Sequence, residues 1–369
     1  MWCNALFFAT LPTQLMSDAN LLNSRHPALG ERFPTVSLAT LPTPVVERSV
    51  NVKGKKHRLF VKRDDQTAEL YGGNKVRKLE YLLARAERKK RDRIATFGAV
   101  GSHHALATAL FARQCEFDCT CFLSHQRRSP SIPETLNMHL RNNTEIVRYG
   151  GRYSDRIATL RQHLWNKRAW VIPAGGSSWL GALGFVNAGL ELAAQVDAGE
   201  LPLPDRIYVA AGTLGTVAGL ALGLALVSMP CVVHAVRVTE PSYSGAHLMQ
   251  GLLGKTALMM HRADSGVAAD LQQRVRLHLR HSFFAGGYAH SDAATDTAVR
   301  VARDEMNIEL ESTYTGKAMA ALLADIESRD SSRETILFWN TYSSAALPVA
   351  SNPPSDTSRL PAEFLSYFS

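Results

Sequence analysis

Cysteine is scarce in this chain, with five residues among 369. A sparse, odd-numbered set argues against a disulfide framework and favours a reducing compartment, so we expect a cytoplasmic protein. Cys119 and Cys121 are separated by one residue, a spacing that invites a metal interpretation. They lie in an apolar run typical of a strand, where alternate residues share a face, and no His or Cys partners stand at ligand spacing. We therefore expect no metal.

Positive charge is only modestly in excess. Lys and Arg number 41 against 33 Asp and Glu, which gives a net charge of +8. The basic cluster at 85–93 has neither a recognition motif nor stacking aromatics beside it, so we expect no nucleic-acid binding. Such a cluster is typical of a solvated helix end, and a basic protein also suits anionic substrates or phosphate.

No uninterrupted hydrophobic run is long enough to cross a membrane. Residues 216–233 come nearest, but Pro230 and several glycines interrupt them, and a strand-like run just before them offers a different explanation. The N-terminal stretch is apolar without preceding basic residues, which favours a loose extension over a secretory signal. We expect no membrane partner.

The sequence does contain an alternation of β-branched apolar runs with longer segments of helical period. This pattern is typical of successive βα units and a mostly parallel sheet, so the predicted fold class is α/β, in one large domain or two. The predicted strands are 58–61, 94–97, 119–123, 145–148, 169–172, 206–210, 232–238 and 336–339. The predicted helices include 75–88, 103–113, 133–141, 155–164, 182–195, 216–227, 292–305 and 317–327.

Three of these strands end in small-residue turns, at 98–102, 212–216 and 340–344. Ligands of open α/β sheets bind beyond the carboxyl ends of the strands, where helix N-termini offer unpaired N–H groups. The turn GTLGT at 212–216 is the best phosphate cradle, because its glycines let backbone N–H groups approach an anion and its threonines add hydroxyl donors. It matches neither a Walker A motif nor a dinucleotide fingerprint, and a plain tight turn is the alternative.

Two further segments carry reactive side chains at predicted helix starts. YGGNKVRKLE places Lys75 there, and although a lysine is ordinarily a solvated charge, the positive end of the helix dipole disfavours a protonated amine. A partly buried Lys75 would then have a lowered pKa and act as a nucleophile or Schiff-base former. GAVGSHHA presents Ser102, His103 and His104, but it has no G-x-S-x-G turn, so Ser102 as a helix N-cap is preferred to a hydrolase triad.

Together these segments resemble the D-cysteine desulfhydrase and 1-aminocyclopropane-1-carboxylate deaminase family, part of the tryptophan-synthase-β-like, fold type II pyridoxal-phosphate enzymes. The likeness spans residues 41–348. It rests on six pieces in the family's order, which are LPTPVVE with VKRDD, GGNKVRKLE, GAVGSHHA, PAGGSSWLGALGFVNAGLEL, AAGTLGT and YTGKAMAAL.

The resemblance implies pyridoxal 5′-phosphate as the cofactor, held as a Schiff base by Lys75. It implies a catalytic set of Lys75, Ser102, Tyr288 and Tyr314. Around the cofactor it places Asn74, His103, Gly212, Thr213, Leu214, Gly215, Thr216 and Thr315. On the side of a small amino-acid substrate it places Lys78, Ser102, His104, Tyr288 and Tyr314.

Three positions bear on the substrate. Thr315 falls where the family places the partner of the pyridine nitrogen, which is glutamate in the deaminase branch and threonine in the desulfhydrase branch. A threonine favours a neutral pyridine and a weaker electron sink, which suits β-elimination. His103 stands where the family usually has Asn, and residues 340–343 read NTYS where a His-Thr-Gly-Gly turn is expected. A side branch with another substrate therefore stays open.

The resemblance also implies two open, twisted, mostly parallel sheets flanked by helices, with the cofactor in the cleft between two domains. The small domain would span 78–172, and the large one 1–77 and 173–369. The expected reaction is the cleavage of D-cysteine to pyruvate, sulfide and ammonia, in a homodimer. Deamination of 1-aminocyclopropane-1-carboxylate and a cofactor-holding protein without turnover are the alternatives.

Overall fold

The computed structural model describes residues 20–165, 167–328, 333–345 and 357–368. The expected N-terminal extension falls on residues 1–19 and lies outside the described residues. No described helix combines the length and the apolar character that a membrane span requires.

A six-stranded sheet has the strand order β1-β2-β10-β7-β8-β9. Its first two strands form an antiparallel pair, and every other neighbouring pair is parallel. The strands are β1 (Val45–Val52), β2 (Lys55–Lys62), β7 (Arg206–Ala211), β8 (Val232–Arg237), β9 (Leu277–Arg280) and β10 (Ile336–Trp339).

A second sheet of four strands has the order β5-β4-β3-β6 and is parallel throughout. Its strands are β3 (Arg93–Ala99), β4 (Asp118–Ser124), β5 (Glu145–Arg148) and β6 (Ala169–Ile172). On β4 the Sγ atoms of Cys119 and Cys121 lie 3.9 Å apart, and both residues are buried. The shared strand face that the sequence suggested for this pair is therefore present.

Helices flank both sheets, as the βα alternation predicts. They are α1 (Leu21–Arg25), α2 (Pro27–Arg32), α3 (Lys75–Arg88), α4 (His103–Gln114), α5 (Ile132–Arg141), α6 (Tyr153–Leu164), α7 (Trp179–Asp197), α8 (Gly215–Leu226), α9 (Pro241–Ser244), α10 (Ala246–Ala263), α11 (Ala293–Met306) and α12 (Thr315–Ser328). Four short 3₁₀ segments complete the described structure at Asp64–Gln66, Ala174–Gly176, Leu271–Arg274 and Ala362–Phe368.

The apolar segment that came nearest to a membrane span is the buried helix α8. All of its residues except the last are buried, and it packs on α7 so closely that a Cβ on Gly189 would lie 2.9 Å from the backbone of Gly223. A helix that is apolar on every side belongs in a protein core when neighbours cover it on every side. The high hydropathy of this segment is thus explained by packing.

The predicted α/β class with mostly parallel sheets is confirmed, and all eight predicted strands are present. The sequence did not predict β1 and β9, which lie at the two edges of the larger sheet. It also did not predict the helices α1, α2, α9 and α10. Strands β3 to β6 fall inside the segment 78–172. The domain boundaries themselves stay a prediction.

Candidate active site

A cavity of about 330 Å³ opens where the parallel strands of both sheets end. Its lining includes the end of β4 and the turns that follow β3, β6, β7, β8 and β10. The start of α3, Tyr288 and the segment 311–315 complete much of the rest. The carboxyl edge of an open α/β sheet is where ligands bind, and the volume is typical of a small-molecule site. The two sheets therefore contribute to one site.

Lys75 is the first residue of α3 and lines this cavity. Its Nζ lies 2.7 Å from Asn74 Oδ1 and 5.9 Å from the centre of the Tyr314 ring. Burial lowers the pKa of Lys75 to about 8, although the Glu311 carboxylate opposes this shift. A lysine whose pKa is lowered in this way is unprotonated in part near neutral pH and can act as a nucleophile. Lys75 is thus not an ordinary surface lysine.

Lys78 and His104 also line this cavity. Lys78 Nζ donates to the carbonyl of Gly175 at 3.2 Å, and His104 Nε2 lies 2.9 Å from Thr96 Oγ1. Burial lowers the pKa of Lys78 well below its ordinary value, and the Lys75 charge lowers it further. Burial likewise lowers the pKa of His104, helped by both lysine charges. Both side chains are thereby favoured in their neutral forms.

The turn 212–216 forms the start of α8 at one end of the cavity. Leu214 has a left-handed conformation with φ 71°, after which the helix begins at Gly215. Thr213 Oγ1 lies 2.7 Å from Ser177 Oγ, which also accepts the N–H of Gly215 at 3.0 Å. Hydroxyl groups and free N–H groups at a helix N-terminus form a natural anion site.

Gly175 keeps this turn open. It has φ +68°, and a Cβ built on it would lie 1.9 Å from Thr213 Oγ1. Opposite, Asn74 Nδ2 donates to Thr216 Oγ1 at 2.8 Å, which ties the segment of Lys75 to the helix start. The groups here are hydrogen-bond donors on a small-residue surface, so they fit a phosphate group.

Ser102 is the N-cap of α4, as the sequence predicted. Its Oγ accepts the N–H of Ala105 at 3.2 Å, and the residue also lines the cavity. Capping and ligand contact are compatible, because a hydroxyl retains a proton to donate after it has accepted one hydrogen bond.

Tyr288 and Tyr314 form a pair in the cavity. The Tyr314 hydroxyl donates to the Tyr288 hydroxyl at 3.0 Å, and the rings meet edge to face with centres 5.8 Å apart. Burial raises the pKa of both tyrosines, and most strongly that of Tyr314. The pair is therefore protonated across the neutral range and has hydroxyl protons to offer.

Glu311 is a site residue that the sequence reading missed. Its carboxylate accepts the N–H groups of Thr313, Tyr314 and Thr315 at 2.6, 2.9 and 2.8 Å, so it caps the start of α12. Thr315 Oγ1 lies 3.2 Å from the same carboxylate and accepts the N–H of Glu311 at 3.0 Å. Glu311 lies four positions before the first residue of α12, outside the N-cap and first turn where sequence rules look for such residues, so no local rule identified it.

His103 meets two tyrosines inside the cavity. Its Nδ1 lies 2.6 Å from the Tyr71 hydroxyl, and its ring stands edge to face with Tyr342 at 5.4 Å between centres. Burial lowers the pKa of His103, Glu311 opposes the shift, and the Lys75 charge adds to it. Tyr71 was also missed as a site residue, and Tyr342 was noted only as part of a departure from the family pattern.

The structure brings all the residues proposed from the sequence into one region. Gly215 alone does not line the cavity, and its N–H is bonded to Ser177. The residues that do line it are Asn74, Lys75, Lys78, Ser102, His103, His104, Gly212, Thr213, Leu214, Thr216, Tyr288, Tyr314 and Thr315. Their individual roles stay predictions.

Comparison with known proteins agrees with this geometry. The family model described as pyridoxal-phosphate dependent enzyme matches residues 36–341. A D-cysteine desulfhydrase of Salmonella newport (strain SL254) is 33% identical over 336 residues, which cover 86% of this chain and 96% of the relative. A second relative, the D-cysteine desulfhydrase of Salmonella paratyphi A, shows the same identity and coverage.

Solved structures extend the likeness to the fold. A crystal structure of an ACC deaminase homologue superposes with a TM-score of 0.70 at 29% identity, covering 85% of this chain and 93% of that one. A fungal L-serine ammonia-lyase from Rhizomucor miehei superposes with a TM-score of 0.56 at 17% identity over 84% of this chain and 96% of its own, and shares the fold alone. This is the fold type II architecture, and the chain is a pyridoxal-phosphate-dependent elimination lyase. By the family model and the desulfhydrase relatives together, the chain belongs to the pyridoxal-phosphate-dependent enzyme family.

Proposed function

We propose that this enzyme cleaves D-cysteine, with water, to pyruvate, hydrogen sulfide and ammonia. The observation that carries the proposal is the buried Lys75 with its lowered pKa in one cavity with the helix-start turn 212–216. The choice of D-cysteine as the substrate rests on the desulfhydrase relatives. When bound, pyridoxal phosphate supplies an electron sink for the negative charge that develops at the substrate Cα.

The roles follow from the chemistry of each side chain. Lys75 would hold the cofactor through its side-chain amine, and the same amine would accept the substrate's Cα proton. The turn 212–216, with Ser177 and Asn74 beside it, would hold the phosphate. Thr315 would be the partner of the cofactor's ring nitrogen, and His103, where the family usually has an amide, would lie beside the cofactor.

The substrate side is formed by a second set of groups. Ser102 and the N–H groups at the start of α4 bind the substrate carboxylate, since a helix N-terminus suits an anion. Lys78 and His104, both favoured in their neutral forms, lie beside it. The hydroxyls of Tyr288 and Tyr314 have protons available to the departing sulfur, because their raised pKa values keep them protonated.

Deamination of 1-aminocyclopropane-1-carboxylate is the second candidate, favoured by the superposition on the ACC deaminase homologue. Thr315 argues against it, because a hydroxyl at the ring nitrogen gives a weaker electron sink than a carboxylate. Formation of 2-oxobutyrate from that substrate, without pyruvate from D-cysteine, would establish the deaminase instead. A bound cofactor with no turnover of any D- or L-amino acid would establish a holding protein.

The test of Lys75 is spectroscopic. The wild-type protein with pyridoxal phosphate should show a visible chromophore that borohydride reduces and fixes to the peptide containing Lys75. The variant Lys75→Ala should lose this chromophore and all pyruvate formation, while Lys56→Ala, at an exposed lysine of β2, should retain both. A reducible chromophore in Lys75→Ala refutes the assignment.

We further propose that the protein acts as a homodimer in the cytoplasm. Four cysteines of the described residues are free thiols, which supports a reducing compartment. The homodimer rests on the family resemblance, and light scattering coupled to size exclusion should give twice the chain mass of 40.5 kDa.

A further inference from the structure

The two departures from the family pattern touch each other. His103 replaces the usual Asn and Tyr342 lies in the altered C-terminal turn, and their rings meet at 90° with centres 5.4 Å apart. Tyr71 completes the group, with its hydroxyl 2.6 Å from His103 Nδ1. We name Tyr71, His103 and Tyr342 the aromatic wall. Two changes that look independent in the sequence are therefore one structural feature.

The aromatic wall spans the cleft between the sheets. His103 follows β3 of the four-stranded sheet, whereas Tyr342 follows β10 of the six-stranded sheet. All three wall residues line the cavity that holds Lys75. The wall thus lines the active-site cavity with residues that follow strands of both sheets.

The backbone fixes the wall relative to Lys75. The N–H of Asn74 donates to the carbonyl of Thr341 at 3.3 Å, and the N–H of Gly72 donates to Ser343 Oγ at 3.0 Å. Between them lies Gly73 at φ +92°, where a Cβ would come within 2.9 Å of the Tyr342 carbonyl oxygen. The backbone of Tyr342 therefore cannot shift without displacing the segment that carries the reactive lysine.

The side chains of the aromatic wall are themselves uncharged, although Lys75 and Glu311 line the same cavity. Burial raises the pKa of Tyr71 and lowers the pKa of His103, so the phenol and the imidazole share their hydrogen bond as neutral groups. A desolvated neutral surface disfavours a charged side chain, because an unpaired charge there loses its hydration. Aromatic rings do attract divalent sulfur.

From these contacts we propose that the aromatic wall selects the substrate by its β-substituent, admitting a compact uncharged sulfur group and excluding larger ones through the Tyr342 ring. The proposal rests on the proposed function. It assigns specificity to His103 and Tyr342, which differ from the family pattern, and to Tyr71, which contacts His103. The covalent and proton-transfer roles stay with the residues named above.

The experiment compares pyruvate formation from D-cysteine and from S-methyl-D-cysteine, which differ by one methyl group on sulfur. In Tyr342→Ala the ratio of kcat/KM for the methylated substrate to that for D-cysteine should rise at least about 10-fold, the usual effect of one carbon in a tight pocket. The control is Tyr243→Ala, which removes an exposed tyrosine from the rim of the same cavity and should leave the ratio within about twofold. Visible absorption verifies that each variant holds the cofactor.

A milder variant protects the test against misfolding. Tyr342→Leu keeps an apolar side chain but removes the ring, and it should raise the ratio several-fold. If both Tyr342 variants turn over D-cysteine with the wild-type ratio, or lose both substrates in equal proportion, the inference is wrong and the proposed function stands. If the wild type holds the cofactor yet forms no pyruvate from D-cysteine, the proposed function fails, and the inference fails with it.

Discussion

Replacing Arg77 by methionine tests how the start of α3 is held in place. The guanidinium makes paired hydrogen bonds to Asp64 at 2.7 and 3.0 Å and to Glu191 at 2.9 Å for each oxygen, with a further bond to Thr43 Oγ1 at 3.1 Å. All these side chains are at most 4% exposed. Lys62 Nζ lies 2.5 Å from Glu191 Oε1, so Lys62 would still compensate the Glu191 charge in the variant.

The expected loss in the free energy of unfolding depends on the charged groups that Arg77→Met leaves in the core. Among the residues that the structure describes, the Thr43 hydroxyl is the side-chain hydrogen-bond donor that Arg77→Met leaves to the buried Asp64 carboxylate. Removing one member of a buried ion pair costs about 3–5 kcal/mol, because the charge left behind is neither hydrated nor paired. We expect a loss of that size in the free energy of unfolding. The double variant Arg77→Met with Asp64→Asn should recover at least about 1 kcal/mol, since it removes the uncompensated charge.

The assay is denaturant unfolding at pH 7, followed by fluorescence and circular dichroism together, because two sheets need not unfold in one step. Arg88→Met is the matched control, since Arg88 lies exposed on the same helix and should change the unfolding free energy by less than about 0.5 kcal/mol. The reasoning is refuted if Arg77→Met costs no more than this control, or if adding Asp64→Asn lowers the stability further.

Three further predictions concern titration and the phosphate turn. In cofactor-free protein, the acetylation rate of Lys75 should rise with a midpoint near pH 8, as its lowered pKa requires, and a midpoint above about 10 would contradict this. Burial raises the pKa of Glu191, but the Arg77 and Lys62 charges outweigh it and lower that pKa from 4.5 to about 2. About 3 kcal/mol of stability, complete above pH 4.5, should therefore be lost as the pH falls towards 2, and Glu191→Gln should flatten this part of the urea-denaturation profile. Gly175→Ala should weaken pyridoxal-phosphate binding at least about tenfold in a fluorescence titration, because its Cβ would collide with the phosphate turn and about 1.4 kcal/mol accounts for that factor. Gly199→Ala also has a positive φ but meets nothing within 4 Å, so equal losses in the two variants would argue against the collision.

Much of the fold could be read from local patterns. The buried strands β3, β4, β7 and β8 are apolar, β-branched runs bounded by turns, so their existence was predictable. The edge strand β1 was missed because half-exposed positions mix polar and apolar residues, as in VVERSVNV. Helix α10 was missed although it has 18 residues, since two internal glycines weaken its helical signal.

The site was predictable where its signals are local. Lys75 at a helix start and the glycine-rich turn 212–216 depend on a few consecutive residues, and family motifs in a fixed order supplied their chemistry. Glu311 and Ser177 contribute to the site through hydrogen bonds to other site residues, and neither belongs to a recognisable motif. The bond from Tyr314 to Glu311 spans three positions but matches no capping rule, while the contact of Ser177 with Thr213 spans 36 positions.

The sequence by itself therefore determined which groups could carry the chemistry, because helix starts, tight turns and strand periodicity are set by neighbouring residues. The tertiary structure alone decided that the carboxyl ends of two sheets meet at one cavity, that burial lowers the pKa of Lys75, and that His103 meets Tyr71 and Tyr342. Those outcomes depend on which distant segments exclude water from one another. Such contacts arise only when the chain has packed, so no local pattern can encode them alone.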